Sequence, residues 1–306
     1  MDDLERSRGV HVSDLACVVL SLGAQRGLAD AVRSLVEQDP LPEVVVVNSA
    51  GGDPAASLAH AGLEVPVIDW PERLFAGAAR NRGIAATSAR YVAFLAADSV
   101  AEPGWVAGRI ERHAAGADAV ACVMASPPDA SRSARAAHLL LNNRRMADTP
   151  PEERLFYGLS YDRELFTRFG PFREDMRVGE DSEFNARLQG SATFAWAPGV
   201  RTQHEAPSRP RDLLRDQYAR GRRRVVAERG LSRSHTARKM VAHARVSVRL
   251  ARRQAERTSD QDERARLIES WPLVIPGALS YLAGSITAAS SPGSRAGRRR
   301  DHGTPG

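Results

Sequence analysis

The chain of 306 residues is long enough for one large domain or two closely packed halves, and its hydrophobic share of 42% is ordinary for a globular protein. Its only two cysteines, Cys17 and Cys122, lie in apolar runs, which predicts buried free thiols and argues against a disulfide framework or a thiolate metal site. Residues 1–12 are charged and lack the apolar core of a signal peptide, so we expect a reducing, cytoplasmic location.

Basic residues are concentrated in two stretches, 220–239 and 295–300, although the net charge of the whole chain is only +6. Such an excess is typical of nucleic-acid binding, of contact with an anionic membrane surface, or of solvated helix faces. No aromatic residues alternate with the basic ones as they do on a base-stacking surface. Nucleic acid is therefore the least expected of these partners.

The first 100 residues alternate between apolar runs of strand length and helical patterns. Four consecutive valines at 44–47 are typical of a parallel strand that is buried on both faces. The pattern predicts strands at 15–21, 43–48, 65–70 and 91–96, and helices at 28–38 and 76–86. It indicates an α/β fold with a Rossmann-like, mostly parallel sheet flanked by helices, whose ligands bind beyond the carboxyl ends of the strands. Ser21, Asn48, Asp69 and Asp98 lie at such ends.

Beyond residue 100 the pattern is less regular, and from Pro210 to about residue 266 it is helical and basic. The predicted elements are helices at 105–113, about 134–143 and 164–169, strands at 118–125 and 193–196, and a turn at Pro198-Gly199. We therefore divide the chain into a flexible tail (1–12), a globular domain (13–230), a helical basic extension (231–294) and a disordered basic tail (295–306).

Residues 270–294 contain no charged side chain. The stretch 271–289 is moderately apolar but carries prolines, glycines and hydroxyl residues, so it is marginal as a membrane-spanning helix. A helix in the membrane interface fits better, with Trp271 and Tyr281 at the headgroup level and the terminal arginines on anionic lipid. The alternative is a helix packed on the protein's own surface.

Two adjacent carboxylates, Glu180 and Asp181, precede a short amphipathic segment. Phe184 and Leu188 are four residues apart, so on a helix they share one face and can dock it to a core. The carboxylates then lie in the first turn, where unpaired backbone N–H groups favour negative charge. A carboxylate fixed there can act as a general base toward a bound hydroxyl. The alternative is that Asp181 is only an N-cap, worth about 1 kcal/mol.

Asp98 and His204 are candidate metal ligands. Asp98 follows a buried strand, and a carboxylate at a strand's carboxyl end is well placed to hold a hard divalent cation on a substrate diphosphate. An imidazole from His204 would shift the preference from Mg²⁺ toward Mn²⁺. The alternatives are an Asx-turn for Asp98 and a structural hydrogen-bonding role for His204.

The order of these segments resembles family 2 inverting glycosyltransferases with the GT-A fold, from about residue 15 to residue 224. The resemblance rests on six places in the sequence: 45–53 (Val-Val-Val-Asn-Ser-Ala-Gly-Gly-Asp), 77–84 (Gly-Ala-Ala-Arg-Asn-Arg-Gly-Ile), 98–105 (Asp98 to Trp105, with Pro-Gly-Trp at its end), 170–172 (Gly-Pro-Phe), 179–181 (Gly-Glu-Asp) and His204. Each segment is modest alone, and the ordered set is specific.

The resemblance implies transfer of a sugar from a nucleotide-diphosphate donor to a hydroxyl acceptor with inversion, without an enzyme nucleophile. It assigns Asp181 as the general base with Glu180 beside it, and Asp98 and His204 as ligands of Mn²⁺ or Mg²⁺. The implied donor contacts are Ser21, Asn48, Asp69, Arg80 and Asn81. Arg80 and Asn81 are equally open to a structural role as hydrogen-bonding struts. Residues 13–100 would then form the nucleotide-binding half and 101–230 the acceptor and catalytic half.

The sequence also departs from the family pattern. Ala96 and Ala97 occupy the first two positions of the usual Asp-x-Asp segment, and Asn48 stands where an aspartate is often found. The loss of a carboxylate weakens a metal site, so a metal-independent enzyme or an inactive nucleotide-sugar-binding or scaffold protein is the alternative. The expected acceptor is a polysaccharide, glycolipid or lipid-linked molecule at the inner membrane face, with its contacts in 126–161.

Overall fold

The computed structural model describes residues 12–227 and 233–290. The described residues form two compact units, one within residues 1–127 and 145–205 and the other within residues 128–144 and 206–306. The charged residues divide in the same way. The first unit has 18 Arg and Lys against 27 Asp and Glu, whereas the second has 25 against 10. A nearly balanced chain therefore consists of an acidic unit and a strongly basic one.

The predicted tails at 1–12 and 295–306 lie outside the described residues, apart from Val12. The boundaries of the predicted domain and extension stay predictions.

The first unit is built on one eight-stranded sheet. Its strands are β1 (Val12–Leu22), β2 (Leu41–Ser49), β3 (Val67–Trp70), β4 (Tyr91–Ala96), β5 (Ser99–Ala101), β6 (Ala119–Ala125), β7 (Ser160–Asp162) and β8 (Phe194–His204). Their order is β3-β2-β1-β4-β7-β6-β8-β5. The first four strands run parallel, as do β6 and β8, whereas β7 and β5 are antiparallel to their neighbours. The predicted α/β fold with a mostly parallel sheet is confirmed.

Burial on both faces explains the apolar runs of the central strands. Val45 and Val46 pair in register with Val18 and Val19 of β1, and all four are at most 2% exposed. Every residue of β6 is buried as well. These strands therefore need no polar alternation, which is why their sequences read as continuous apolar stretches.

The helices lie in stretches where apolar residues recur every three or four positions. In chain order they are α1 (Leu28–Val36), α2 (Pro54–His60), α3 (Ala76–Ala85), α4 (Trp105–Ala114), α5 (Arg132–Asn142), α6 (Glu164–Phe169), α7 (Glu180–Leu188), α8 (Pro210–Ala227), α9 (Arg233–Arg257), α10 (Gln261–Glu269) and α11 (Trp271–Ser290), with a 3₁₀ turn at Pro151–Glu153. In α1, Leu28, Val32 and Leu35 form the buried face that the spacing predicts.

One detail of the predicted pattern is wrong. Pro198-Gly199 is not a turn, because β8 runs through both residues. Its pairing with β6 shifts there, from Ala197 opposite Cys122 to Arg201 opposite Val123. Such a bulge accommodates Pro198, which has no N–H to donate to the sheet. The helical pattern after Pro210 corresponds to three helices, α8, α9 and α10. Helix α10 follows the N-cap Asp260, whose side chain accepts a hydrogen bond from the Glu263 N–H.

The second unit contains α5 and α8 to α11. In it, α11 packs on α8 through glycines that let the two backbones touch. A Cβ atom at Gly221 would overlap the Tyr281 carbonyl oxygen, and one at Gly284 would overlap that of Tyr218. Within the described chain, α11 is the one helix that is long and apolar enough to cross a membrane, judged by length and composition alone.

A buried histidine on α4 ties the first unit's sheet to its helices. His113 is 4% exposed, and its ring nitrogens lie 2.7 Å from the Ala117 carbonyl oxygen and 2.8 Å from Ser160 Oγ. The ring stacks on Tyr91 with 4.1 Å between centroids. Burial lowers the pKa of His113 from 6.5 to about 4, so the folded protein holds the neutral ring.

We expect His113 to destabilise the folded protein in acid. Between pH 6.5 and about pH 4 the unfolded chain binds a proton that the folded chain does not. Its contribution to stability is therefore complete above pH 6.5 and is lost as the pH falls, by up to about 3 kcal/mol. Urea unfolding at several pH values gives the slope of the free energy of unfolding against pH. Between pH 6.5 and pH 4 this slope should be smaller in His113→Gln than in wild type. It should be unchanged in His60→Gln, at the exposed end of α2. An unchanged slope in His113→Gln would contradict the assignment.

Candidate active site

Three of the predicted donor contacts meet at one edge of the sheet. In the register of β1, β2 and β3, Ser21 lies beside Asn48, and Asn48 beside Asp69. Parallel strands end at the same edge, so the topology alone brings these residues of distant sequence together.

Asn48 organises this edge from inside the protein. It is fully buried, and its Oδ1 accepts a hydrogen bond of 3.0 Å from the Ala24 N–H. Its amide nitrogen donates to the Gly51 carbonyl oxygen at 2.9 Å and to Asp69 Oδ1 at 2.8 Å. One side chain thus fixes the loops that follow β1 and β2 and orients the Asp69 carboxylate.

Ser21 and Asp69 provide the open polar groups at this edge. Ser21 is 7% exposed, and its hydroxyl makes no hydrogen bond within the part of the chain that the structure describes. Asp69 is exposed, with one carboxylate oxygen held by Asn48. A buried hydroxyl that lacks a protein partner is satisfied when a bound polar ligand supplies one.

Asp98 and His204 are neighbours at the next strand end. Asp98 lies in the turn between β4 and β5, and Ser99 pairs directly with His204 on β8. The Asp98 carbonyl oxygen accepts a 2.8 Å hydrogen bond from the Glu205 N–H, and Asp98 Oδ2 lies 3.6 Å from His204 Nε2. The sheet therefore presents one carboxylate and one imidazole side by side.

The turn that carries Asp98 is closely packed. A Cβ atom at Gly27, before α1, would overlap the Ala97 carbonyl oxygen, and the Ala97 N–H donates to the Leu20 carbonyl oxygen at 2.9 Å. Ala97 is fully buried, whereas Ala96 is exposed. Of the two alanines in the first two positions of this segment, only Ala96 therefore lies at the open edge.

The paired carboxylates have different surroundings. Gly179, with a φ of 88°, is the N-cap of α7, so Glu180 and Asp181 are its first two residues and Asp181 is not the cap. Asp181 is half-buried, and its Oδ1 accepts a 2.7 Å hydrogen bond from the Ser182 N–H. Its Oδ2 accepts no hydrogen bond from any residue the structure describes. Glu180, in contrast, is buried.

Glu180 forms an ion pair with Arg80 of α3. The Arg80 guanidinium lies over the rings of Phe94 and Phe172, 5.3 Å from each centroid. Burial alone would lower the pKa of Arg80, but the charges of Glu180 and Asp181 raise it above the ordinary value. The cation is therefore permanent, and it joins α3 to the first turn of α7.

Asn81 makes a second connection from α3. It donates to the Phe172 carbonyl oxygen at 2.9 Å and to Glu174 Oε1 at 3.0 Å, and it accepts from the Phe172 N–H at 3.0 Å. A Cβ atom at Gly77 would overlap the Arg173 carbonyl oxygen. Arg80 and Asn81 therefore make the structural contacts that the alternative interpretation of these residues expects, and they connect α3 to residues 172–181.

The structure therefore arranges the predicted site residues of the first unit in three groups: the β1–β3 edge, the Asp98–His204 pair and the α3–α7 junction. Within residues 12–227 and 233–290, no three His, Cys, Asp or Glu side chains are grouped so that they could hold a metal ion by themselves.

Sequence reasoning missed two residues that support this site. Gly27 permits the close approach at the Asp98 turn, and its position before an apolar helix was the available signal. Tyr161 lies on β7, is buried, and donates a 2.9 Å hydrogen bond to Asn185 of α7. Since β7 has only three residues, no alternation could reveal it.

An α/β sheet with polar groups at the carboxyl edge of its parallel strands is typical of α/β proteins that bind a ligand at that edge. The model of glycosyl transferase family 2 matches residues 17–169, half of the chain, and the protein belongs to this family of glycosyltransferases. The match ends before Asp181 and His204. No curated protein matches the sequence.

The solved structure of a mannosyltransferase has the same GT-A fold. The mannosyltransferase PcManGT from Pyrobaculum calidifontis, in complex with GDP-Man and Mn²⁺, is similar with a TM-score of 0.56 and 18% identity, over 92% of this chain and 86% of that chain. Residues 1–349 of S. aureus TarS, in complex with UDP-GlcNAc, give a TM-score of 0.47 and 15% identity, over 90% of each chain.

We expect Asn48→Asp to destabilise the protein by about 3 kcal/mol at neutral pH, because it buries a carboxylate against that of Asp69. The deficit should shrink in acid, since a carboxylate pair can share one proton. The double variant Asn48→Asp/Asp69→Asn restores a single carboxylate and should regain most of the loss. Urea unfolding measures all three, and a single variant as stable as wild type at neutral pH would refute the role of Asn48.

Proposed function

We propose that the protein is an inverting glycosyltransferase that moves a sugar from a nucleotide-diphosphate donor to an acceptor hydroxyl by single displacement. The observation that carries this proposal is Asp181. Its carboxylate is held at the start of α7 with Oδ2 open, on the scaffold of a glycosyltransferase family. The acceptor in the proposal is a polysaccharide, glycolipid or lipid-linked molecule at the cytoplasmic side of the cell membrane, in cell-envelope synthesis.

Asp181 takes the proton of the acceptor hydroxyl as the hydroxyl attacks the anomeric carbon. A general base must be held within hydrogen-bonding reach of that proton, and a helix start anchored on α3 provides a fixed position. The sugar–phosphate bond breaks as the new bond forms, so the nucleoside diphosphate leaves and the anomeric configuration inverts. No protein nucleophile takes part.

Ser21, Asn48 and Asp69 serve the donor in different ways. The Ser21 hydroxyl and the Asp69 carboxylate contact the nucleoside part directly, because both have hydrogen-bonding capacity left at the edge. Asn48 acts through the loops that it holds. Arg80 and Asn81 support the site from the side of α3.

Asp98 and His204 fit a divalent cation that is shared with the donor. Two adjacent protein ligands are too few for a closed metal site, but Mg²⁺ and Mn²⁺ are commonly held by one or two side chains together with substrate phosphates and water. When bound, such a cation would neutralise charge on the leaving diphosphate. The loss of a carboxylate at Ala96 supports the second candidate, an inactive relative that only binds nucleotide sugar.

Substitution of the two aspartates separates these roles. We expect Asp98→Asn to lose Mn²⁺-dependent thermal stabilisation by nucleotide sugars, because the cation loses its carboxylate. We expect Asp181→Asn to keep that stabilisation and lose turnover by about a hundredfold or more, because only proton removal fails. A panel of nucleotide sugars should be tested with each variant, both by thermal shift and by release of the nucleoside diphosphate.

Asp175→Asn, in an exposed ion pair with Arg173, is the matched control and should behave as wild type. Turnover by Asp181→Asn at the wild-type rate would refute the general-base assignment. Donor binding by wild type without turnover on any acceptor would favour the inactive relative.

We further propose that Glu180 positions Asp181 and takes no proton itself, since it is buried against Arg80. Glu180→Gln leaves a buried unpaired cation, which should cost about 3 kcal/mol and lower kcat more than it raises the donor KM. Arg80→Met/Glu180→Met should regain stability by replacing the pair with apolar side chains, while kcat stays low. If kcat recovers together with stability, the ion pair has no positioning role.

A further inference from the structure

One face of α11 is exposed and packs against no other part of the described chain. Ile275, Leu279 and Ile286 are 47%, 60% and 49% exposed. Together with the exposed Ala283 they follow one another at spacings of four, four and three residues, so they form a single stripe on the helix. We call these four residues the apolar face of α11.

The opposite face of α11 is already used. Val274 is fully buried, and a Cβ atom at Gly277 would collide with Leu140 of α5. The Ser280 hydroxyl donates a 2.7 Å hydrogen bond to the Leu214 carbonyl oxygen of α8. Because no residue from Trp271 to Ser290 is charged, the free side is apolar without the charged rim that a solvated surface helix carries.

The packing of α11 on α8 argues against a membrane-spanning role. The two backbones touch at Gly221 and Gly284, so α11 cannot cross a bilayer without taking α8 with it. Helix α8 carries Arg211, Arg215 and Arg222 on exposed positions, and each would be costly in the hydrocarbon core. A shallow position with one face in contact with lipid avoids this cost.

The positive charge of the unit that contains α11 indicates which kind of surface the apolar face can bind. Its unit holds 25 basic residues against 10 acidic ones. Helix α9, which contacts α11 through the rings of His243 and Tyr281, presents Arg245 and Arg249 to solvent. An apolar stripe next to basic helices is complementary to a bilayer with anionic headgroups, whereas a second copy of this unit would meet it with like charge.

We propose that the apolar face of α11 docks on an anionic lipid bilayer, with the helix lying in the interface and the basic side chains of its unit on the headgroups. The stripe supplies apolar burial, and the arginines supply a salt-sensitive attraction. This binding does not depend on the transfer reaction.

Co-sedimentation of the full chain with vesicles tests the proposal. Phosphatidylcholine vesicles containing phosphatidylglycerol should bind the protein more tightly than phosphatidylcholine alone, and added salt should weaken the binding. We expect Leu279→Ser to lower partitioning by about tenfold, and Ile275→Ser/Leu279→Ser/Ile286→Ser to lower it much further. The control is Val178→Ser, at an apolar residue of the first unit that is 44% exposed, and this variant should bind like wild type.

Three results would overturn the docking. The first is vesicle binding by the triple variant that is as tight as that of wild type. The second is resistance of the bound protein to extraction by high salt and alkaline carbonate, which would indicate a spanning helix. The third is a wild-type dimer in analytical ultracentrifugation that dissociates in the triple variant, which would assign the face to a second copy. The substituted positions are exposed and outside the candidate site, so donor turnover in solution should stay at the wild-type value and report on the catalytic proposal separately.

Discussion

The buried ion pair between Arg80 and Glu180 is the interaction on which the geometry of the candidate site depends. It joins two helices through residues that are 100 positions apart, and the rings of Phe94 and Phe172 lie against the Arg80 guanidinium. A charge pair in such surroundings is costly to break but contributes little as a source of net stability. The role of the ion pair is to fix the position of α7 relative to α3. The helix start that carries Asp181 cannot move relative to α3 without leaving a buried charge unpaired.

The sheet imposes a second constraint of a different kind. Its parallel strands bring Ser21, Asn48 and Asp69 to one edge regardless of their side chains, and the side chains then decide what the edge can bind. The Asn48 amide forms hydrogen bonds with two loops and with the Asp69 carboxylate at once. An aspartate at position 48 could not do so, because its carboxylate would repel that of Asp69. The departure from the family pattern at this position thus has a structural explanation in the partner that Asp69 provides.

Much of this arrangement was predictable, and the reasons for the rest are physical. The strands around Val45 and Val46 and the α/β class follow from continuous burial, and Phe184 with Leu188 predicts α7. Strand β7 was missed because three residues carry no period, and the Pro198-Gly199 turn was wrong because a bulge uses the same residue types. The partner of Arg80 could not be read from one sequence, since no local pattern links residues so far apart. The roles of Asp181, Asp98 and His204 stay predictions.

The contact between α8 and α11 has a consequence for how this helix pair can vary. Gly221 and Gly284 leave no space for even a methyl group, so the size of any other side chain excludes it from these two positions. On the outer side of α11, at Leu279 and its neighbours, nearly any volume fits and only polarity changes the behaviour of the surface. Substitutions that keep the backbone geometry of this pair are therefore confined to the outer side of α11, where they change the polarity of the exposed surface.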